Sequence, residues 1–161
     1  MRLSRTTLTL LLTLASAAML LAAWGSQYIG GLAPCKLCYW QRYPHMAAVA
    51  LGLIGMALGA RLWSWLAAAA LATTALLGLY HSGVERGLWQ GPSTCSSSGV
   101  GGVSADELMN RIMSAPLVRC DEIAWAFHGF TMANLNAIGS AILALLWVWV
   151  ARRSEVDRRI F

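Results

Sequence analysis

Apolar positions gather into four long runs. They extend from about Thr6 to Trp24 (with apolar residues continuing to Leu32), from about Pro44 to Ala60, from Leu62 to Tyr80 and from about Phe130 to Val150. Each is close to the ~20 residues with which an α-helix crosses ~30 Å of hydrocarbon. The second run is the shortest, and only Arg61 separates it from the third, so those two must form a tight helical hairpin. The pattern predicts an all-α integral membrane protein, a four-transmembrane-helix bundle in a single domain over 1–161. Its helices are expected at about 6–25, 43–60, 62–80 and 130–150, with outer loops 26–42 and 81–127 and a tail 151–161. The second loop changes character along its length. Gly91-Pro92-Ser93-Thr94-Cys95-Ser96-Ser97-Ser98-Gly99 is turn-forming. Ser104-Ala105-Asp106-Glu107 reads as a helix capping box. A short amphipathic helix should follow, with Leu108 and Ile112, and Met109 and Met113, at i,i+4 spacing, ended by Pro116. Its apolar side would lie on the membrane surface or pack on the bundle.

Composition agrees with a membrane chain. Of 161 residues, 58% are hydrophobic and 12% charged, about half the charged share of a soluble domain. The net charge of +5 raises nucleic acid as a partner, but there is no basic run interleaved with aromatics, which argues against it. The basic residues instead set an orientation. Arg2, Arg5, Arg61, Arg152, Arg153, Arg158 and Arg159 fall on one side of the bundle, against Glu155 and Asp157. On the other side Lys36, Arg42, Arg86, Arg111 and Arg119 are matched by Glu85, Asp106, Glu107, Asp121 and Glu122. The positive-inside rule places both termini in the cytoplasm. All four cysteines then lie at or beyond the far membrane boundary, which in a bacterium is the oxidising periplasm. The N-terminal stretch also resembles a signal peptide. Its apolar run is too long for a typical h-region, and no small-x-small cleavage site precedes a polar start, so it is expected to stay as an anchor.

The candidate chemistry is in the cysteines. Cys35 and Cys38 form a Cys-x-x-Cys in Pro34-Cys35-Lys36-Leu37-Cys38; Cys95 and Cys120 lie in the second loop. Structural disulfides are one reading. Closing the small Cys35–Cys38 ring would stabilise by roughly 2 kcal/mol and the Cys95–Cys120 loop by roughly 3.5 kcal/mol, so a staple is more plausible for the second pair. Metal binding is another, since Cys-x-x-Cys supplies half of many zinc sites, but there is no second Cys-x-x-Cys and no metal site is expected. Tyr39 stands where c-type haem attachment would need His. A redox pair explains more. On a helix Cys38 and Arg42 share a face, where the guanidinium and the helix start both favour a Cys38 thiolate. Arg42 could equally stabilise an oxyanion on a reduced quinone ring, or snorkel to headgroups. A thiolate performs disulfide exchange. One pair would meet a soluble thiol protein and the other would stay near a lipid-soluble carrier.

These residues resemble the bacterial disulfide bond formation protein B family, DsbB, over nearly the whole chain. The similarity is carried by Pro34-Cys35-Lys36-Leu37-Cys38-Tyr39-Trp40-Gln41-Arg42, by Tyr80-His81, and by Cys120-Asp121-Glu122-Ile123-Ala124-Trp125. It implies a protein-disulfide oxidoreductase of the bacterial inner membrane. Such an enzyme reoxidises a periplasmic thioredoxin-like protein of the DsbA type and reduces ubiquinone or menaquinone. By matching position, Cys95 would take the partner's thiolate, and Cys120 would leave and then attack Cys35. The freed Cys38 thiolate would form a transient charge-transfer complex with quinone beside Arg42. Gln41 and His81 would also lie near the quinone; family members have Glu or Gln at the Gln41 position. Asn134, Asn136 and His128 read as helix-packing or interfacial groups. Two alternatives remain: a specialised family member serving one dedicated partner, and a non-enzymatic membrane protein with structural or metal-binding cysteines.

Overall fold

The computed structural model describes residues 4–59, 61–95, 104–114 and 118–153. The expected Pro116 stop, the Ser96–Gly99 stretch and most of the tail lie outside these residues. Helix α1 spans Arg5–Tyr28, α2 Lys36–Leu58, α3 Arg61–Glu85, α4 Ala105–Ser114 and α5 Met132–Arg152. Among the described residues the strands are confined to a short ribbon, β1 (Ala126–Phe127) with β2 (Phe130–Thr131). Helices α1, α3 and α5 are each long and apolar enough to cross a membrane; α2, at 23 residues, has similar length. Leu21, Leu76 and Leu145 are among many large side chains left exposed on the outside of the bundle. Such an apolar exterior suits lipid.

Inside, small residues let the helices approach. Ala48, Ala67, Ala68 and Ala144 surround Leu12, Leu71, Trp147 and Val150. A side chain at Gly78 would sit 2.9 Å from the Ala137 backbone nitrogen, so α3 and α5 nearly touch there. The α2–α3 connection is as tight as expected: Gly59 closes α2 in a left-handed conformation, φ 70°, and α3 begins at Arg61.

Two boundaries differ from the sequence expectation. Helix α2 starts at Lys36 rather than near residue 43, so the second cysteine of the Cys-x-x-Cys is helical. Cys35 caps this helix, its sulfur accepting from the Cys38 N–H at 3.3 Å. Pro44, where the second apolar run begins, lies inside α2. Thr74 Oγ1 donates to the Gln41 carbonyl at 2.9 Å, one position beyond the carbonyl that Pro44 deprives of its usual donor. Helix α3 continues to Glu85, five residues past Tyr80, which carries His81 into the protein. The ribbon was not anticipated. It turns through His128 and Gly129, at φ 48° and 82°, the two positive angles of a tight hairpin turn. It delivers Thr131 as the cap of α5, where Thr131 and Asn134 form a reciprocal capping box.

Candidate functional site

Cys35 opens α2 and His81 sits near the end of α3; the packing of these helices brings them together. Cys35 Sγ lies 3.0 Å from Cys38 Sγ and 3.5 Å from His81 Nε2. Both cysteines of this pair are free thiols. Cys95 and Cys120 are joined as a disulfide. The pairs share one buried cluster of Cys35, Leu37, Val84, Cys95 and Cys120, with Cys38, Tyr80 and Val118 packed against it. A backbone hydrogen bond from Cys120 to the Cys95 carbonyl reinforces the disulfide, and Lys36 Nζ donates to Thr94 Oγ1 at 3.0 Å, linking the two loops.

Cys35 is a strong candidate thiolate. A hydrogen bond from the Cys38 thiol holds its pKa at about 4, far below the usual thiol value; burial opposes this and His81 assists. Arg42 lines the same cavity as Cys38. Its guanidinium donates to Gln27 Oε1 at 2.6 Å and to the Ala23 carbonyl at 3.1 Å, both on α1, and lies over the Tyr39 ring.

Cys35, Cys38, Gln41, Arg42 and His81 all line one cavity of about 270 Å³, near the lower end for ligand pockets, ~300 Å³. Met19, Leu20, Ala22, Met132 and Leu135 supply apolar walls. His45 also lines it, and its buried Nδ1 has no hydrogen-bond partner among the described residues. Cys95 and Cys120 are not among the lining residues; they sit behind Cys35.

The sequence reading missed three groups around this cavity. Glu85 is buried 3.8 Å from His81 Nε2 and accepts from Thr131 Oγ1 at 2.6 Å. Asn136 donates to Gln41 Oε1 at 2.8 Å and meets His45 Nε2 at 3.0 Å. His45 was not singled out. Acidic or amide residues inside apolar helices were the available signal. Asn134 joins Arg86 and Ser82 at the helix ends, and His128 occupies the ribbon turn.

Cys35, Cys38 and His81 also lie close enough together to hold a metal ion. The hydrogen bonds favour a thiol–imidazole couple instead. Gln41 Nε2 donates to the Leu37 carbonyl and to His81 Nδ1, which leaves the proton of a neutral ring on Nε2, the atom a metal would need bare.

Apolar helices of membrane-spanning length surround a disulfide and a second, reduced cysteine pair, the make-up of a membrane protein with disulfide chemistry. The family model for "Disulfide bond formation protein DsbB" matches residues 5–150, and the chain belongs to that family. It is 30% identical over 149 residues to Disulfide bond formation protein B of Verminephrobacter eiseniae, covering 84% of this chain and 80% of the relative. It is 27% identical over 135 residues to an uncharacterized protein of Rickettsia prowazekii, covering 81% of this chain and 78% of that one. No solved structure matches the chain significantly.

Proposed function

We propose that this chain is a quinone-dependent thiol oxidase of the bacterial inner membrane that reoxidises a periplasmic thioredoxin-like dithiol protein of the DsbA type. One observation carries the reading. Two cysteine pairs, one oxidised and one reduced, pack in a single buried cluster beside an apolar-walled cavity that holds Cys38 and Arg42.

All four long helices cross the membrane in this reading, as one domain. Exposed Tyr43, Met46, Leu53 and Leu58 give α2 an apolar exterior. The bundle's polarity supports cytoplasmic termini. Arg5 donates to Ser64 and Arg152 lies over Trp65, so these basic residues meet at the end of the helices away from the cysteines. The cysteines gather at the other, between the start of α2 and the end of α3, and would face the periplasm.

The partner's thiolate attacks Cys95, and Cys120 leaves as a thiolate. Cys120 then attacks Cys35 of an oxidised Cys35–Cys38 pair, and Cys38 is released. The partner's second thiolate then releases Cys95, which attacks Cys120 and frees Cys35, so the net exchange moves two electrons from the partner dithiol to the Cys35–Cys38 disulfide, which becomes a dithiol. That is the combination seen here, with Cys95–Cys120 closed and Cys35 and Cys38 reduced. Ubiquinone or menaquinone, when bound, accepts two electrons and two protons, which re-forms the Cys35–Cys38 disulfide. The cavity's residues fit such a ring: apolar walls, the Arg42 guanidinium, and a buried imidazole nitrogen on His45 that has no partner among the described residues. Arg42 supplies positive charge for a ring oxygen. Cys38, Gln41 and His81 line the same space.

The test mixes purified, quinone-supplemented protein with a reduced thioredoxin-like partner and follows quinone absorbance. Partner-dependent quinone loss, abolished in Cys38→Ser and Cys95→Ser, is the expected result. No loss in folded wild type with several partners and both quinone types would overturn the proposal.

A further inference from the structure

The amide of Asn136 lies in a chain of hydrogen bonds whose direction is fixed at both ends. At one end is the Leu37 carbonyl, which can only accept, so the group of Gln41 that lies 3.1 Å from it must be the NH₂. The second hydrogen of that NH₂ goes to His81 Nδ1 at 2.8 Å. Gln41 Oε1 is then an acceptor, and Asn136 Nδ2 fills it at 2.8 Å. At the other end Asn136 Nδ2 also reaches Thr74 Oγ1 at 3.1 Å. The Thr74 hydroxyl spends its own proton on the Gln41 carbonyl, so toward Asn136 it can only accept. Asn136 Oδ1 faces His45 Nε2 at 3.0 Å and accepts from Ser140. No amide in this chain can be reversed without setting two donors or two acceptors against each other.

The consequence reaches Cys35. With Nδ1 of His81 occupied as an acceptor, the neutral ring carries its proton on Nε2. That atom lies 3.5 Å from Cys35 Sγ and 3.8 Å from Glu85 Oε1. We infer that Asn136 is a positioning residue for thiol exchange, holding Gln41 so that His81 presents its Nε2–H to the Cys35 sulfur. The proposal rests on the thiol-oxidase reading but concerns only the chain's own residues. Asn136 is far from Cys35 in sequence and does not touch it; it acts through Gln41 and His81. Among the described residues the remaining charged or titratable neighbours are Cys38 beside Cys35, Glu85 on α3, Tyr80 against the cysteine cluster, and His45, Arg42, Arg119 and Glu122 around the cavity. Glu85, facing Nε2, favours the same tautomer, and the amide of Gln41 is the group that occupies Nδ1.

The test uses the full chain in detergent with Cys95–Cys120 closed and Cys35–Cys38 reduced. The alkylation rate of Cys35, read by mass spectrometry, is followed against pH in wild type, Asn136→Leu and Gln41→Leu. The side-chain nitrogen shifts of ¹⁵N-labelled His81 report the tautomer. In wild type His81 should be the Nε2–H tautomer. In both variants the midpoint of the Cys35 profile should rise by about one pH unit, the equivalent of losing one hydrogen bond to a charged sulfur. An Asn136→Gln variant, which keeps an amide, should recover part of that change. An Nδ1–H tautomer in wild type overturns the proposal, as does an unmoved Cys35 profile in folded variants. If Asn136→Leu does not fold, Gln41→Leu and the wild-type tautomer decide. Shifted profiles in a protein that reduces no quinone would uphold this inference and overturn only the oxidase reading.

Discussion

The Arg42 guanidinium donates to Gln27 Oε1 at 2.6 Å, tying the start of α2 to the end of α1. A second bond, to the Ala23 carbonyl, uses the other end of the guanidinium fork. Arginine can span both acceptors; lysine, a point charge, cannot. Arg42→Lys should therefore weaken quinone binding about tenfold, and Gln27→Leu by a smaller factor, on the scale of one charged hydrogen bond. Exchange between Cys95–Cys120 and the reduced partner should be unchanged in both. Quinone titration alongside a partner-exchange assay separates these effects.

Cys35 should remain reactive in acid. Its pKa of about 4 predicts an alkylation rate that is flat from neutral pH to about 5 and falls below about 4. An ordinary thiol loses reactivity tenfold per pH unit below ~8.5. The linkage sign follows from the same shift. A thiol held below its unfolded pKa stabilises the folded dithiol form most above about 9, and that contribution fades as pH falls toward 4. Relative to Cys35→Ser, the reduced protein should thus lose thermal stability across that window. Melting curves in detergent at stepped pH check it.

Cys95 is buried, with 1% of its surface exposed. A protein partner cannot reach its sulfur without a local opening of the second loop. Mixed-disulfide formation should accordingly reach a plateau rate as partner concentration rises, set by opening rather than encounter. Stopped-flow mixing with a partner retaining only its attacking cysteine measures it; a rate that stays linear in partner concentration would count against gating.

Gly78 allows the close contact of α3 and α5. Gly78→Ala places a carbon 2.9 Å from the Ala137 nitrogen, and backbone on both sides must give way. A loss of roughly 1–3 kcal/mol is expected, seen as a lower melting temperature. Gly87→Ser, outside the bundle with nothing near an added carbon, controls for glycine removal, although φ 67° there adds backbone strain of its own.

The redox chemistry was legible because it is local. Cys35 and Cys38 are three residues apart, and a Cys-x-x-Cys beside an apolar run is visible without any fold. The polar support around it was not. Gln41, Thr74, His81 and Asn136 come from three helices, and nothing in a linear pattern says that one amide will face another 95 residues away. Asn136 therefore read as a helix-packing group. The start of α2 was not legible because the proline rule is a local rule, whereas α2 continues through Pro44 with Thr74 of α3 bonded to a carbonyl beside the break.

The sequence by itself determined the helical class, the number of long apolar segments and which residues carry sulfur. Hydrophobic run length and residue identity act at short range, and a membrane leaves helices as the natural form for such runs. Tertiary structure alone decided where Arg42 spends its hydrogen bonds, and that both cysteine pairs lie in one cluster. Those outcomes depend on distances of a few ångströms between side chains remote in the chain, and only packing of α1, α2, α3 and α5 sets them.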